Sequence, residues 1–173
     1  MSYDTGVIRP EIRIESIKSR GEVATPAQRR AARSALRTLH ALEIMAMKIY
    51  ACQITSRPSP LNTALTAAMC NEMTHAQDFQ TKLFEYGFTP RKWRGAHWMV
   101  GYVFGLGSRL LGERCVLKTG IWVEAKAVHH YSKLLGAVEW DDETRAIIEK
   151  DQADEAGHIE KWRSLLEAMD AAP

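Results

Sequence analysis

Cysteine is scarce in this sequence. Cys52, Cys70 and Cys115 are an odd number, lie far apart and form no Cys-x-x-Cys pair. A disulfide framework or a zinc knuckle therefore does not organise the chain, and a reducing compartment fits best. The sequence also lacks the roughly 20 consecutive apolar residues that a bilayer-spanning helix needs. Its opening residues, MSYDTGVIRPEIRIES, lack the apolar core of a signal peptide. No alternation of apolar and polar residues is sustained enough to argue for a strand, which leaves an all-α fold. Strong charge of one sign is missing too: 23 Lys and Arg stand against 21 Asp and Glu, and no nucleic-acid partner is expected. The one local bias is basic, with eight Lys/Arg against four acids in the first 40 residues, most simply a solvated flank.

The chain has 173 residues, 46% hydrophobic, which suits one domain with a real core. Residues 1–25 carry no helical period and read as an N-terminal arm. Residues 26–173 read as the domain. Thr25-Pro26 is a helix start, with Pro at the first helical position. Apolar residues then recur at three- and four-residue intervals through Leu36, Leu39, Ala46, Tyr50 and Ile54, until SRPSP at 56–60 ends the run. A second helix carries Leu65, Ala68, Phe79 and Leu83 and stops near Gly87. A third piece, roughly 91–111, is apolar on all sides and rich in glycine. The fourth runs from about Arg114 to Leu135, and the fifth follows Trp140-Asp141-Asp142. The simplest arrangement is an antiparallel helical bundle.

Each inward stripe is interrupted by a carboxylate. The face 36, 39, 43, 46, 50 holds Glu43, and the face 65, 68, 72, 75, 79 holds Glu72 and His75. The face 117, 120, 124, 127, 131 holds Glu124, and the face 148, 151, 155, 158, 162 holds Glu155 and His158. Taken singly, each Glu reads as a solvated helix residue and each His as a satisfied interior histidine. Taken together they do not. Four buried, uncompensated carboxylates would cost several kcal/mol each, and two metal cations would compensate them. A single Glu from each of two helices and Glu-x-x-His from each of the other two is the ligand set of a carboxylate-bridged di-metal centre. The three-residue spacing sets Glu and His on one helix face, about 5–6 Å apart. Chance placement of 14 Glu and six His would yield about 0.5 such pairs, so the weight rests on the whole pattern. Tyr50 and Tyr131 each follow their single Glu by seven residues, and the chain reads as a duplicated helical hairpin. The tyrosines suit hydrogen-bond partners of the ligands or a radical relay, and equally plain interior tyrosines.

ALEIMAMKIYACQ at 41–53, IWVEAKAVHHY at 121–131 and WMVGYVFGLGSRLLGERC at 98–115 resemble the demethoxyubiquinone hydroxylases, ferritin-like di-iron monooxygenases of ubiquinone biosynthesis. The resemblance covers about residues 33–165. It implies a ferritin-like four-helix bundle of two hairpins with an extra apolar crossover helix. It assigns metal binding to Glu43, Glu72, His75, Glu124, Glu155 and His158, the six residues already derived. It adds His130 as a non-ligand histidine that couples reductant or substrate to the metals. The implied cofactors are two iron ions with an external electron donor, NADH or a reduced quinol. The implied partners are O2 and a quinone or quinol substrate. A homo-oligomer or a biosynthetic complex is compatible with it, and a ferritin-like role in iron oxidation, iron storage or peroxide scavenging is the alternative. The family's Asp-His-Ala-Gly-Glu is here Leu39-His40-Ala41-Leu42-Glu43, so a leucine stands beside a ligand where glycine is usual.

Two further expectations concern surroundings. Asn71 and Asp154 each precede a ligand Glu and are candidates to hydrogen-bond the ligands. Residues 93–111, with aromatics at 93, 98, 102 and 104 and Arg91, Lys92, Arg94 and Arg109 at the margins, read as a membrane-contacting element. The competing reading is a crossover helix packed on protein through Gly101 and Gly105. The corresponding location is peripheral, on the cytoplasmic side of the inner membrane, or else the cytoplasm.

Overall fold

The computed structural model describes residues 17–20, 25–90 and 94–171. Most of the arm at 1–25 lies outside the described residues, as do Arg91, Lys92 and Trp93 of the expected membrane element and the side chain of Arg94. Five helices follow in order: α1 Pro26–Gln53, α2 Pro60–Glu85, α3 Arg94–Leu110, α4 Glu113–Ala137 and α5 Asp142–Asp170. There is no strand among the described residues.

Local chemistry sets the boundaries. At the start of α1 the Thr25 hydroxyl accepts the Gln28 N–H and the Gln28 side chain accepts the Thr25 N–H, a capping box followed by Pro26. Ser59 caps α2 through the Asn62 N–H ahead of Pro60, and Asp141 caps α5 through the Thr144 N–H. At the end of α2, Gly87 adopts φ 74°, which lets its own N–H reach Phe84 O and the Phe88 N–H reach Leu83 O. Gly112, at φ 95°, makes the sharp turn between α3 and α4.

The short connections fold α1 with α2 and α4 with α5 into two hairpins, which face each other to form the bundle. Two apolar layers fill it. One gathers Leu36, Leu39, Phe79, Leu83, Tyr131 and Ile148, and the other Tyr50, Leu65, Leu117 and Trp162. In every one of the four helices the ionisable positions fall between the residues of these layers. The fold thus inserts a polar band into an otherwise apolar core.

The helix α3 bridges the hairpins and lies against α1. A Cβ on Gly101 would sit 2.6 Å from Met45 O, and one on Gly105 would sit 2.5 Å from Ile49 O. Only glycine permits that backbone approach. The packing expected of a crossover helix is therefore present, while Trp98, Met99, Tyr102, Val103 and Phe104 remain exposed on its outer side. No helix among the described residues is long and apolar enough to cross a membrane.

The described part of the arm, residues 17–20, crosses from α2 to α5. The Arg20 N–H donates to Glu85 O, its guanidinium pairs with Glu85 and Asp141 at 2.7 Å each, and it also contacts Glu143. Part of the basic N-terminal charge is thus neutralised on the protein's own acids.

Candidate metal centre

The six residues singled out from the sequence converge. Glu43, Glu72, His75, Glu124 and Glu155 are buried, and the His158 side chain is only 15% exposed. Their donor atoms form two quartets, Glu43–Glu72–His75–Glu155 and Glu72–Glu124–Glu155–His158, each with donor atoms within 4.8 Å of one another. Glu72 and Glu155 belong to both. Each quartet adds one terminal Glu and one His, and both histidines present Nδ1. His75 Nδ1 lies 3.1 Å from Glu155 and 3.8 Å from Glu43 and Glu72. His158 Nδ1 lies 3.2 Å from Glu72, 3.3 Å from Glu155 and 3.7 Å from Glu124.

The electrostatics describe what the cluster requires. Burial, joined by the charges of Glu155 and Glu72, pushes the Glu43 carboxyl well above the carboxylate range despite its contact with His75. Burial and the charge of Glu155 do the same to Glu124 despite its contact with His158. Burial alone would raise Glu155, but contacts with His158, His75 and Glu124 outweigh it and hold this group at about 2. Burial alone would lower His158, yet Glu124, Glu155 and Glu72 push it up to about 12, and His75 is raised by Glu155, Glu43 and Glu72. Glu43, Glu124 and both histidines are thus shifted toward holding a proton, while Glu155 is held as the carboxylate at the centre of the band. Both oxygens of Glu72 and Oε2 of Glu124 are buried without a hydrogen-bond partner. Buried carboxylate oxygens of that kind are compatible with a bound cation, and a mixed carboxylate–imidazole set with two shared carboxylates fits two iron-sized ions.

Each tyrosine crosses to the other hairpin. The Tyr50 hydroxyl donates to Glu124, and the Tyr131 hydroxyl donates to Glu43 at 2.7 Å. Trp162 adds a donor to Tyr50 at 3.2 Å, its ring seated where a Cβ on Gly120 would come within 2.9 Å of it. Burial and the nearby Glu43 and Glu155 raise Tyr131 well above its ordinary value, so it stays a proton donor. His130 belongs to neither quartet; its Nδ1–H donates to Lys126 O at 2.9 Å, which leaves Nε2 as an acceptor. Asp154 does not reach its neighbour Glu155 but meets His75 Nε2 at 3.1 Å, and Asn71 Nδ2 approaches Asp154 at 3.5 Å.

One residue escaped the sequence reading. Asp151 is fully buried, with Oδ1 3.7 Å from His75 Nε2, and burial pushes it up to about 6 despite His75 and Lys150. Its position on the inward face of α5, four residues before Glu155, was the available signal.

A cavity of about 330 Å³ opens between α1 and α4. Its walls include Leu42, Ala46, Trp122 and Ala127, with Glu43, Glu124 and His130 also in the lining. Leu42, the departure beside a ligand, is therefore a wall residue. The Trp122 ring stacks on Phe104 with centroids 5.7 Å apart, which joins the cavity to the exposed aromatic side of α3. Lys48 lies 4.4 Å from the Trp98 ring centroid on that same side.

The family model for Ubiquinone biosynthesis protein COQ7 matches residues 30–169. Two curated relatives are named 3-demethoxyubiquinol 3-hydroxylase. The one from Alcanivorax borkumensis is 29% identical over 133 residues, 76% of this chain and 61% of that protein. The one from a Polaromonas species is 31% identical over 130 residues, 72% of this chain and 61% of that protein. The chain spans about three-fifths of the length of these relatives.

Proposed function

This chain belongs to the COQ7 family of ubiquinone biosynthesis proteins, and from that premise we propose that it hydroxylates the ring of a demethoxylated quinol with O2 at a di-iron centre. The observation that carries the reading is the pair of buried quartets sharing Glu72 and Glu155, with Glu43 and Glu124 bordering an apolar cavity.

Glu43 and His75 would hold one iron, Glu124 and His158 the other, and Glu72 and Glu155 both. Bound there, the two ions supply O2 reduction and ring hydroxylation. The chain's own contribution is positional. Tyr50 and Tyr131 orient the terminal carboxylates from the opposite hairpin. The apolar walls around Leu42, Ala46 and Trp122 receive a ring and exclude bulk water from it. His130, with Nε2 free to accept, binds a quinol hydroxyl at the cavity wall and takes its proton. Electrons come from an external donor, NADH or a reduced quinol.

The exposed apolar side of α3, continuous with the cavity through Phe104 and Trp122, supports entry of the quinone from a lipid surface. On this reading the protein sits peripherally on the cytoplasmic side of the inner membrane. An iron-storage role would draw on an acidic entry route, whereas the cavity wall beside these ligands is mainly apolar. The test is anaerobic loading with Fe(II), addition of a demethoxylated quinol and O2, and product analysis by mass spectrometry. One added oxygen atom on the ring is the expected result, with His130→Ala retaining metal and losing rate. Iron oxidation that leaves the quinol unchanged under every electron donor would remove the hydroxylase reading.

A further inference from the structure

The internal repeat allows two halves of one site to be compared within a single chain. Setting α2 on α5 in register pairs Glu72 with Glu155, His75 with His158 and Phe79 with Trp162. The same register pairs Ala68 with Asp151 and Asn71 with Asp154. The ligands and their tyrosine partners are duplicated, whereas the residues at positions 68 and 71 differ from those at 151 and 154.

The difference falls on the outer nitrogen of one histidine. His75 Nε2 lies 3.1 Å from Asp154 Oδ2 and 3.7 Å from Asp151 Oδ1. Asp151 is fully buried, and its Oδ2 has no hydrogen-bond partner. The positions of α2 equivalent to these two carboxylates carry a methyl group and an amide. The rings nearest His158 are Tyr50 and Trp162, each with its centroid 6.5 Å away.

We infer that the two ion positions are unequal: the one held by Glu43 and His75 is the tighter, because Asp154 and Asp151 act as positioning residues on the His75 ring. The inference rests on reading the quartets as a two-metal centre. His75 must offer a lone pair at Nδ1, the nitrogen that faces Glu43, Glu72 and Glu155, so its proton belongs on Nε2. A carboxylate at that nitrogen holds the tautomer and the ring plane and makes Nδ1 a better donor. The Asp154 carboxylate also adds negative charge beside that ion and favours it over its neighbour, while Asp151, whose Oδ1 accepts from Lys150 Nζ at 3.1 Å, adds less. Loss of an outer partner of this kind typically lowers metal affinity about 10- to 100-fold. Iron should therefore load in order, first beside His75 and then beside His158.

The experiment is anaerobic titration of the full metal-free chain with Fe(II), followed by calorimetry and by Mössbauer spectra of 57Fe at one and two equivalents. Two unequal steps are expected, with one dominant quadrupole doublet at one equivalent and a second at two. The partly exposed Asp154→Asn and the isosteric Asp151→Asn should together weaken the first step about 10- to 100-fold and leave the second nearly unchanged. His158→Ala should retain the tight step, and His75→Ala should lose it. The reverse assignment, an equal effect of the aspartate changes on both steps, or a third iron that disappears with them would overturn the inference and leave the di-metal centre standing. Binding of no iron by the parent chain would overturn both.

Discussion

Tyr131 reaches across the bundle to Glu43, 88 residues away in sequence, and donates its hydroxyl at 2.7 Å. Its counterpart Tyr50 donates to Glu124, so each hairpin steadies a carboxylate of the other. These bonds link the apolar layers to the polar band between them. Tyr131→Phe should retain two metals per chain and lower stability by about 1 kcal/mol, read from the midpoint of chemical denaturation. Loss of one ion would show instead that the hydroxyl is needed to hold Glu43 as a ligand.

Packing of α3 on α1 rests on two glycines. Gly105→Val forces a side chain into a space where its Cβ alone would come within 2.5 Å of Ile49 O. Backbone cannot yield as a flexible side chain would, so the expected destabilisation is about 1–3 kcal/mol or more, with the cavity beside Trp122 altered too. Thermal unfolding of the variant checks this. An unchanged melting temperature would mean that α3 does not pack closely on α1.

The arm supplies a pH-dependent contact. Burial would raise Asp141, but hydrogen bonds from Tyr86 and Thr144, together with the Arg20 charge, hold it at about 2, below its ordinary 3.8. Glu85 is lowered as well, by Lys82 and Arg20 against its burial. A carboxylate with a depressed folded pKa contributes stability that is complete above its unfolded pKa and is lost as pH falls through the folded one. Arg20→Ala should therefore cost most above about pH 4, with the difference from the parent shrinking as pH falls towards 2. Denaturation midpoints measured across that range decide it. A constant difference would mean that Arg20 acts only through packing.

Membrane contact has its own readout. The parent chain should float with liposomes containing anionic lipid, and Trp98→Ser with Phe104→Ser should float less while keeping its metal. Equal flotation would assign the exposed side of α3 to another partner.

Most of the architecture was legible because breakers and periodicity agreed. Pro26, Pro60 and Gly87 mark ends that the observed caps use, and the period of 3.6 put Glu43, Glu72, Glu124 and Glu155 on faces that do turn inward. Periodicity names a face but not the neighbour it meets. The crossing of Tyr50 to Glu124 and of Tyr131 to Glu43 therefore needed three dimensions. Asp151 went unread although it stands on the inward stripe of α5, because the repeat gives it no counterpart: the equivalent position of α2 is Ala68. The segment at 94–110 has apolar residues all round, so only the pair Gly101 and Gly105 hinted at which side packs. The backbone approach at Gly101 and Gly105 decides that.

The central claim is that the band between the apolar layers is a site for two metal ions, and metal content tests it most directly. Chain loaded anaerobically with Fe(II) and freed of excess should hold close to two irons. Glu72→Ala and Glu155→Ala, which each remove a shared ligand, should lower both occupancies and the melting-temperature gain that accompanies loading. An iron content near zero in the parent, or two irons retained when Glu72 or Glu155 is removed, would contradict the account.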